Sequence, residues 1–215
     1  MRRPSLRGGC MRDSTMVPNH HADHPGFSGP LGCLIGLTMV VTGRTKARLA
    51  ATAAAVSAGD HVVDIGCGPG TAARMAARRG ARVTGVDPAP VMRRLARAFT
   101  PRRAPITWSC GTAENLPLSD GSATVVWSLA TVHHWKDVNE GLAEARRVLA
   151  PGGRLLAIER QSRAGATGLA SHGWTEPQAE SFGALCRGSG FEKVRVDTSG
   201  TGRRAVWVVS AVRVP

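Results

Sequence analysis

Two carboxylates bracket three glycines in the stretch Val62-Val63-Asp64-Ile65-Gly66-Cys67-Gly68-Pro69-Gly70-Thr71, where the glycines stand at alternate positions. Glycine has no Cβ, so this backbone can take positive φ and let a ligand approach the main chain, and the helix that follows starts with free N–H groups. The second carboxylate, Asp87, ends another β-rich run, Arg82 to Val86, and stands 17 residues after Gly70. An acid at such a strand tip accepts hydrogen bonds from ribose hydroxyls. A strand-to-helix loop can also need glycine for its geometry alone, and an isolated Gly-x-Gly is a weak signal. A dinucleotide fingerprint places its last glycine three residues after the second, but position 71 is Thr. Asp64 would set a negative charge beside a pyrophosphate, and that charge suits a cationic ligand better.

Histidines form the second group of reactive side chains. His133 and His134 follow the apolar run Val125 to Leu129, whose Ser128 lies near the carboxyl end, the end at which open α/β sheets bind ligands. An imidazole with a pKa near neutrality is a natural general base there; the alternative is that the pair shapes the loop or caps the next helix. Three of the seven His, at 20, 21 and 24, fall within five residues. A metal site is one reading. A polar loop is favoured, because no acid or Cys cluster completes a coordination sphere at a recognisable spacing, and no metal is expected. His172 and Trp174 stand at the far end of a Gly-, Ser-, Thr- and Ala-rich loop, 161–171, that could fold over a pocket.

These residues need a scaffold, and hydrophobic periodicity supplies an α/β one. Residues 1–17 show no periodicity and read as a disordered tail, and residues 18–58 as a cover segment followed by an Ala-rich helix over 44–56. Residues 59–215 read as one domain, in which strands at 62–65, 82–86, 106–109, 125–129 and 154–158 alternate with helices at 72–79, 89–99 and 138–149. In the second of these helices Val91, Leu95 and Phe99 form the expected core stripe, and Met92 adjoins it. Asp137 caps the third, Pro151-Gly152-Gly153 ends it, and Glu159 stands at the tip of the fifth strand. Thr175 caps a helix to Cys186. Residues 194–196 and 205–212 are β-rich and read as an antiparallel pair across Ser199-Gly200-Thr201-Gly202.

On these residues the chain resembles the class I S-adenosylmethionine-dependent methyltransferases that act on small molecules. Asp64 to Gly70 matches that family's first motif and Val86-Asp87 its second, while Gly111 to Pro117 resembles the adenine-contacting segment, with Thr112 where the family usually has Asp. Val125 to Trp135 and Arg146 to Glu159 resemble the regions of its fourth and fifth strands. The resemblance implies a Rossmann-like three-layer sandwich, with a mostly parallel seven-stranded sheet closed by a C-terminal antiparallel hairpin. It implies S-adenosylmethionine as cofactor and S-adenosylhomocysteine as product. Asp64, Gly66, Cys67, Gly68 and Gly70 would cradle the methionine part and Asp87 the ribose, with Pro88 and Met92 beside the adenine and Thr112, Ala113 and Glu114 bordering it. Ser128 would lie at the same edge. His20, His21 and Phe27 in the cover, with His172 and Trp174, would line the acceptor side.

Composition narrows the setting. Net charge is +13, but 25 of the 28 basic residues are Arg in a chain rich in Ala, Gly and Val. All four residue types are encoded largely by GC-rich codons, so the charge reads as coding bias of a high-GC bacterium ahead of a nucleic-acid footprint. The densest patch, nine Arg between 74 and 103 against Asp87 alone, has helical i, i+4 pairs and reads as a solvated face. Five cysteines without a Cys-x-x-Cys pair suit a reducing cytoplasm. The 11-residue run 31–41 is too short to cross a membrane, and none is expected as a partner. An RNA-modifying protein and a nucleotide-binding oxidoreductase remain as alternatives to a small-molecule methyltransferase.

Overall fold

The computed structural model describes residues 17–22 and 29–215. The expected tail, except Val17, and the expected pocket residue Phe27 lie outside the described residues. Strands β1 (His61–Ile65), β2 (Arg82–Val86), β3 (Ile106–Ser109), β4 (Ala123–Leu129), β5 (Leu149–Arg160), β6 (Phe191–Ser199) and β7 (Val206–Arg213) form one sheet in the order β3-β2-β1-β4-β5-β7-β6. The pairs from β3 to β5 are parallel, and β7 runs antiparallel between β5 and β6. This is the expected Rossmann-like sheet with its closing hairpin, and β5 has beside it an antiparallel strand in place of the sixth parallel strand of a dinucleotide dehydrogenase.

Six helices accompany the sheet among the described residues: α1 (Gly29–Thr42), α2 (Arg44–Ala53), α3 (Thr71–Ala77), α4 (Pro90–Ala98), α5 (Val138–Val148) and α6 (Glu176–Gly188). Alternation along the central strands builds a core on each face of the sheet. Val62, Val125 and Trp127 pack with Ala47, Ala50 and Ala51 of α2 and Ala72, Ala73 and Ala76 of α3. Val63, Ile65 and Val126 pack on the other side with Leu142 and Val148 of α5 and Phe182 of α6. Alanine dominates the first core because two helices lie close to the strands there, and the few aromatics concentrate in the second.

Four local expectations are corrected. The helix expected over 44–56 ends at Ala53, because Ala55 turns left-handed at φ 46° and lets the Val56 N–H donate to Ala51 O. The stripe of α4 is not Val91, Leu95 and Phe99: Met92 and Ala96 are its buried residues and Phe99 is 43% exposed. Pro151-Gly152-Gly153 does not separate α5 from the next strand but lies inside β5, as an irregularity between the pairs Ala123–Leu149 and Val125–Arg154. The basic patch is only partly a solvated face. Arg74 donates to Pro69 O at 2.7 Å and Arg93 to Asp87 O at 2.6 Å, both closing the loops that precede their helices.

The run 31–41 is the body of α1, which turns Gly32 and Gly36 inward. A Cβ on Gly36 would meet Leu95 Cδ1 at 2.5 Å and Met92 Sδ at 3.2 Å, so α1 and α4 touch along a glycine face. Leu31, Leu34, Leu37 and Val41 point outward and are exposed. No helix among the described residues is long and apolar enough to cross a membrane.

Candidate active site

The loops after β1, β2, β4 and β5 meet at the carboxyl edge of the sheet. Asp64 sits in β1 opposite Gly85 of β2 and Trp127 of β4, a position covered on every side. Its side chain is 2% exposed; the Trp127 indole N–H and the Ala73 N–H face the carboxylate, while Oδ2 has no partner within hydrogen-bond distance. Burial, offset in part by the Trp127 and Ala73 N–H groups and joined by the charge of Asp87, pushes this carboxyl up to about 7. A buried acceptor left without a donor costs about 1–3 kcal/mol, and more for a charged group, unless a ligand supplies one. A cationic amine is the ligand that this oxygen fits.

Gly66, Gly68 and Gly70 all take positive φ, at 67°, 52° and 79°. They are not equivalent. A Cβ on Gly66 would strike Thr131 at 2.6 Å, and one on Gly70 would strike the Trp108 ring at 2.2 Å. Those two glycines answer to packing against the protein itself. At Gly68 a Cβ would meet only Met39 Cε of α1, at 3.6 Å, so Gly68 is the glycine whose free face a ligand can use. Asp87 holds this loop: Oδ2 accepts from Gly68 N–H and Oδ1 from Ala89 N–H, each at 2.8 Å. Burial raises the Asp87 carboxyl, and the two N–H donors with Arg93 offset part of that rise. Each oxygen keeps a second lone pair for a ribose hydroxyl.

Beside it, the turn after β4 is tied down at every step. Thr131 Oγ1 donates to Ile65 O at 3.1 Å and accepts from Ser128 Oγ at 2.5 Å. Glu159, fully buried at the end of β5, accepts from Val132 N–H and from His133 Nδ1, both at 2.9 Å. Burial alone would raise the Glu159 carboxyl. The charge and hydrogen bond of His133, with Lys46 of α2 and the Val132 N–H, outweigh it and hold the group below the usual glutamate range. His134 Nδ1 bonds His21 O at 3.3 Å. Burial first, then the neighbouring His133, hold the His134 ring down at about 4, so it is neutral at pH 7 and a weak base.

The segment 17–22 closes this side. Asn19 Nδ2 donates to Trp135 O and Lys136 O at 3.1 Å each, the His21 N–H to His133 O at 2.9 Å, and Gln178 Nε2 to Val17 O at 3.1 Å. His20 Nδ1 accepts from Gln178 at 3.2 Å, and its Nε2 donates to Ser171 O at 2.9 Å. His21 Nε2 bonds Ser171 Oγ at 3.0 Å, and its ring stacks on His172 at 4.3 Å. The expected cover histidines and His172 therefore do meet the 133–134 pair.

Other expected site residues are placed differently. Ser128 is spent on Thr131. Ala113 points into the core against Gly141, and Glu114 Oε1 accepts from Lys136 N–H at 2.7 Å, which fastens its turn to the start of α5. Thr112 bridges to Asn115 in that turn. Met92 is wholly buried beneath Gly36 of α1, Pro88 is exposed, and Cys67 lies against Gly85. Trp174 is fully buried on Phe182, with Nε1 donating to Pro18 O at 2.8 Å, so it supports the cover from beneath and does not face an acceptor. Sequence reasoning missed Thr131, Met39 and Lys46, and noted Glu159 only as a strand tip. Its signal was present: Glu159 lies at the end of β5, and His133 follows four residues after the end of its parallel neighbour β4.

Residues 63–157 match the family described as a methyltransferase domain. The demethylmenaquinone methyltransferase of Tropheryma whipplei strain Twist is 39% identical over 104 residues, covering 48% of this chain and 43% of that one. The ubiquinone/menaquinone biosynthesis C-methyltransferase UbiE of Rubrivivax gelatinosus is 38% identical over 106 residues, covering 49% and 41%. The chain thus spans less than half the length of these relatives. Among solved structures, the methyltransferase in complex with the Haloferax volcanii Trm112 methyltransferase activator superposes with a TM-score of 0.72 at 21% identity, over 84% of this chain and 94% of that one.

Proposed function

We propose that the chain carries a class I S-adenosylmethionine-dependent methyltransferase domain and transfers a methyl group from S-adenosylmethionine to a small-molecule acceptor in a reducing cytoplasm. One observation carries the cofactor reading: the buried Asp64 oxygen that accepts no hydrogen bond, beside the open backbone of Gly68. Asp64 would hold the cofactor's amine, Gly66 to Gly70 its methionine part and Asp87 its ribose. The cofactor's sulfonium supplies an electrophilic methyl group. The protein has to align the acceptor and keep water out. The segment 18–58 covers the site: 17–22 walls the histidine side, and α1 lies over Gly68 through Met39.

With no metal ion on its Nε2, His133 is the base for a hydroxyl acceptor. Its Nδ1–H is committed to Glu159, which fixes the tautomer and leaves the Nε2 lone pair to take the proton. His134 is the weaker candidate because its ring is held at about 4. The four free cysteines among the described residues, Cys33, Cys67, Cys110 and Cys186, support the reducing setting.

Calorimetry tests the cofactor, and the expected result is binding of S-adenosylmethionine with no comparable affinity for nicotinamide dinucleotides. Asp87→Asn should weaken that binding by about 1.5–3 kcal/mol, the range for hydrogen bonds to a charged group. Unchanged affinity in Asp87→Asn would remove the ribose assignment, and tighter binding of a dinucleotide would remove the reading as a whole. A screen of acceptor pools with methyl-labelled cofactor then identifies the acceptor.

A further inference from the structure

Three separated stretches of chain bring histidines to one place: His20 and His21 from the cover, His133 and His134 after β4, and His172 before α6. Ring centroids of His133 and His134 lie 4.2 Å apart, and each lies 5.5 Å from His172. One ring nitrogen from each of these three falls within 4.8 Å of the other two. We propose that His133, His134 and His172 bind one divalent transition-metal ion of the zinc class, with a fourth coordination position open to the acceptor.

The hydrogen bonds decide which nitrogens are offered. Glu159 and the His21 carbonyl accept, so His133 and His134 must carry their protons on Nδ1. Both rings therefore present an Nε2 lone pair, the form in which imidazole ligates a metal. The same partners supply what metal-bound histidine usually has, a carboxylate or carbonyl behind the ring that fixes its orientation and raises its basicity. Glu159 is wholly buried and cannot reorient, and Val132 N–H holds its other oxygen. A tetrahedral ion with metal–nitrogen bonds of about 2.0–2.1 Å separates its ligand atoms by about 3.3 Å, within reach of three rings that each bring a nitrogen within 4.8 Å of the others. Three imidazoles with a free position are the donor set of catalytic zinc sites, and imidazole also suits nickel, copper and iron.

The site lies against the cofactor loop, since Thr131, two residues before His133, packs on Gly66. If the methyl-transfer reading holds, on which this part rests, the open position takes the acceptor's oxygen or sulfur. The ion lowers the pKa of that group, its proton leaves to solvent, and the His133 Nε2 serves as ligand in place of base.

The test is a zinc titration of the full chain after chelator treatment, in competition with a chromogenic chelator, with cobalt(II) absorption as a second readout. The expected result is one ion per chain. His134→Ala and His172→Ala should each weaken zinc by about 100-fold or more, and Glu159→Gln by about 10–100-fold, the range for an outer-shell partner. His61→Gln is the control: that ring bonds Thr84 and Ser122 at the amino end of β1, and its loss should leave zinc affinity unchanged. Zinc should raise the melting temperature of the parent and of His61→Gln but not of His172→Ala. Absent stoichiometric binding, or binding equally insensitive to all four changes, overturns the site. S-adenosylmethionine is titrated into the same preparations. Cofactor binding without zinc binding removes this inference and leaves the preceding function, whereas zinc binding without cofactor binding does the reverse.

Discussion

The loops after β1 and β4 lie side by side at the same edge of the sheet, with Thr131 of one packed on Gly66 of the other, yet they are finished to different degrees. After β1, a buried carboxylate oxygen has no donor and the backbone beside it is open. After β4, Ser128, Thr131, Val132, His133 and His134 each have a named partner within the protein. The first loop carries the marks of a site completed by a ligand. The second is a rigid frame that aims ring nitrogens. A cofactor that enters and leaves each cycle needs the former, and an acceptor that must be aligned needs the latter.

The frame should break hardest. His133→Asn keeps an N–H where Nδ1 stood, so it still donates to Glu159 while removing Nε2. Turnover should fall by about 10²–10⁴-fold with cofactor affinity and melting temperature nearly unchanged. His133→Ala should in addition lose about 3–5 kcal/mol of stability, because it strips a buried carboxylate of its partner. If both variants lose stability equally, the ring is a structural element only.

The unfinished loop should respond to pH with the opposite balance. The Asp64 carboxyl titrates at about 7 in the fold against 3.8 as its reference, so the stability it contributes is full below about pH 4 and is lost as pH rises through 7. Asp64→Asn should therefore stabilise the cofactor-free protein at pH 8, by roughly 2–4 kcal/mol, and hardly at all at pH 4. A cationic ligand needs the ionised form, so cofactor affinity in the parent should fall about tenfold per pH unit below 7, a slope absent in Asp64→Asn. Flat affinity between pH 5 and 8 would mean that Asp64 does not face the cofactor.

The smallest effect separates the glycines. Gly68→Ala has room for its Cβ and should cost only the left-handed backbone strain, about 1–2 kcal/mol, while impairing cofactor binding. Gly70→Ala, which would drive a methyl into Trp108, should lose more stability than that in a urea titration. Equal losses would erase the distinction between ligand-facing and packing glycines.

How much of the molecule is legible in its sequence depends on contiguity. The glycine loop, the two acids and the parallel strands are each marked by a run of a few consecutive residues, and the structure has each of them. The histidine site joins residues 21, 133, 134, 159 and 172, which only the order of strands brings together. No spacing rule applied to 19–29 alone could have found it. The Glu114 and Ala113 side chains turn to Lys136 N–H and to Gly141, because side-chain direction in an irregular turn obeys no period. The α4 stripe failed only in part: Met92, which adjoins it, is buried beneath Gly36 of α1, whereas Phe99 beyond the end of the helix is exposed.

Helix α1 has a consequence on the scale of time. Its inward residues are Gly32 and Gly36, so little apolar surface is gained by holding it down, and opening it exposes little that the neighbouring strands need. Its amides should exchange with solvent deuterium well before those of β1 and β4, whose residues are buried almost throughout. Met39, which lies over Gly68, moves with that helix. The roof of the cofactor loop is then the fast part of the molecule and its floor the slow part, and a ligand can come and go at the rate of one helix while seven strands stay paired.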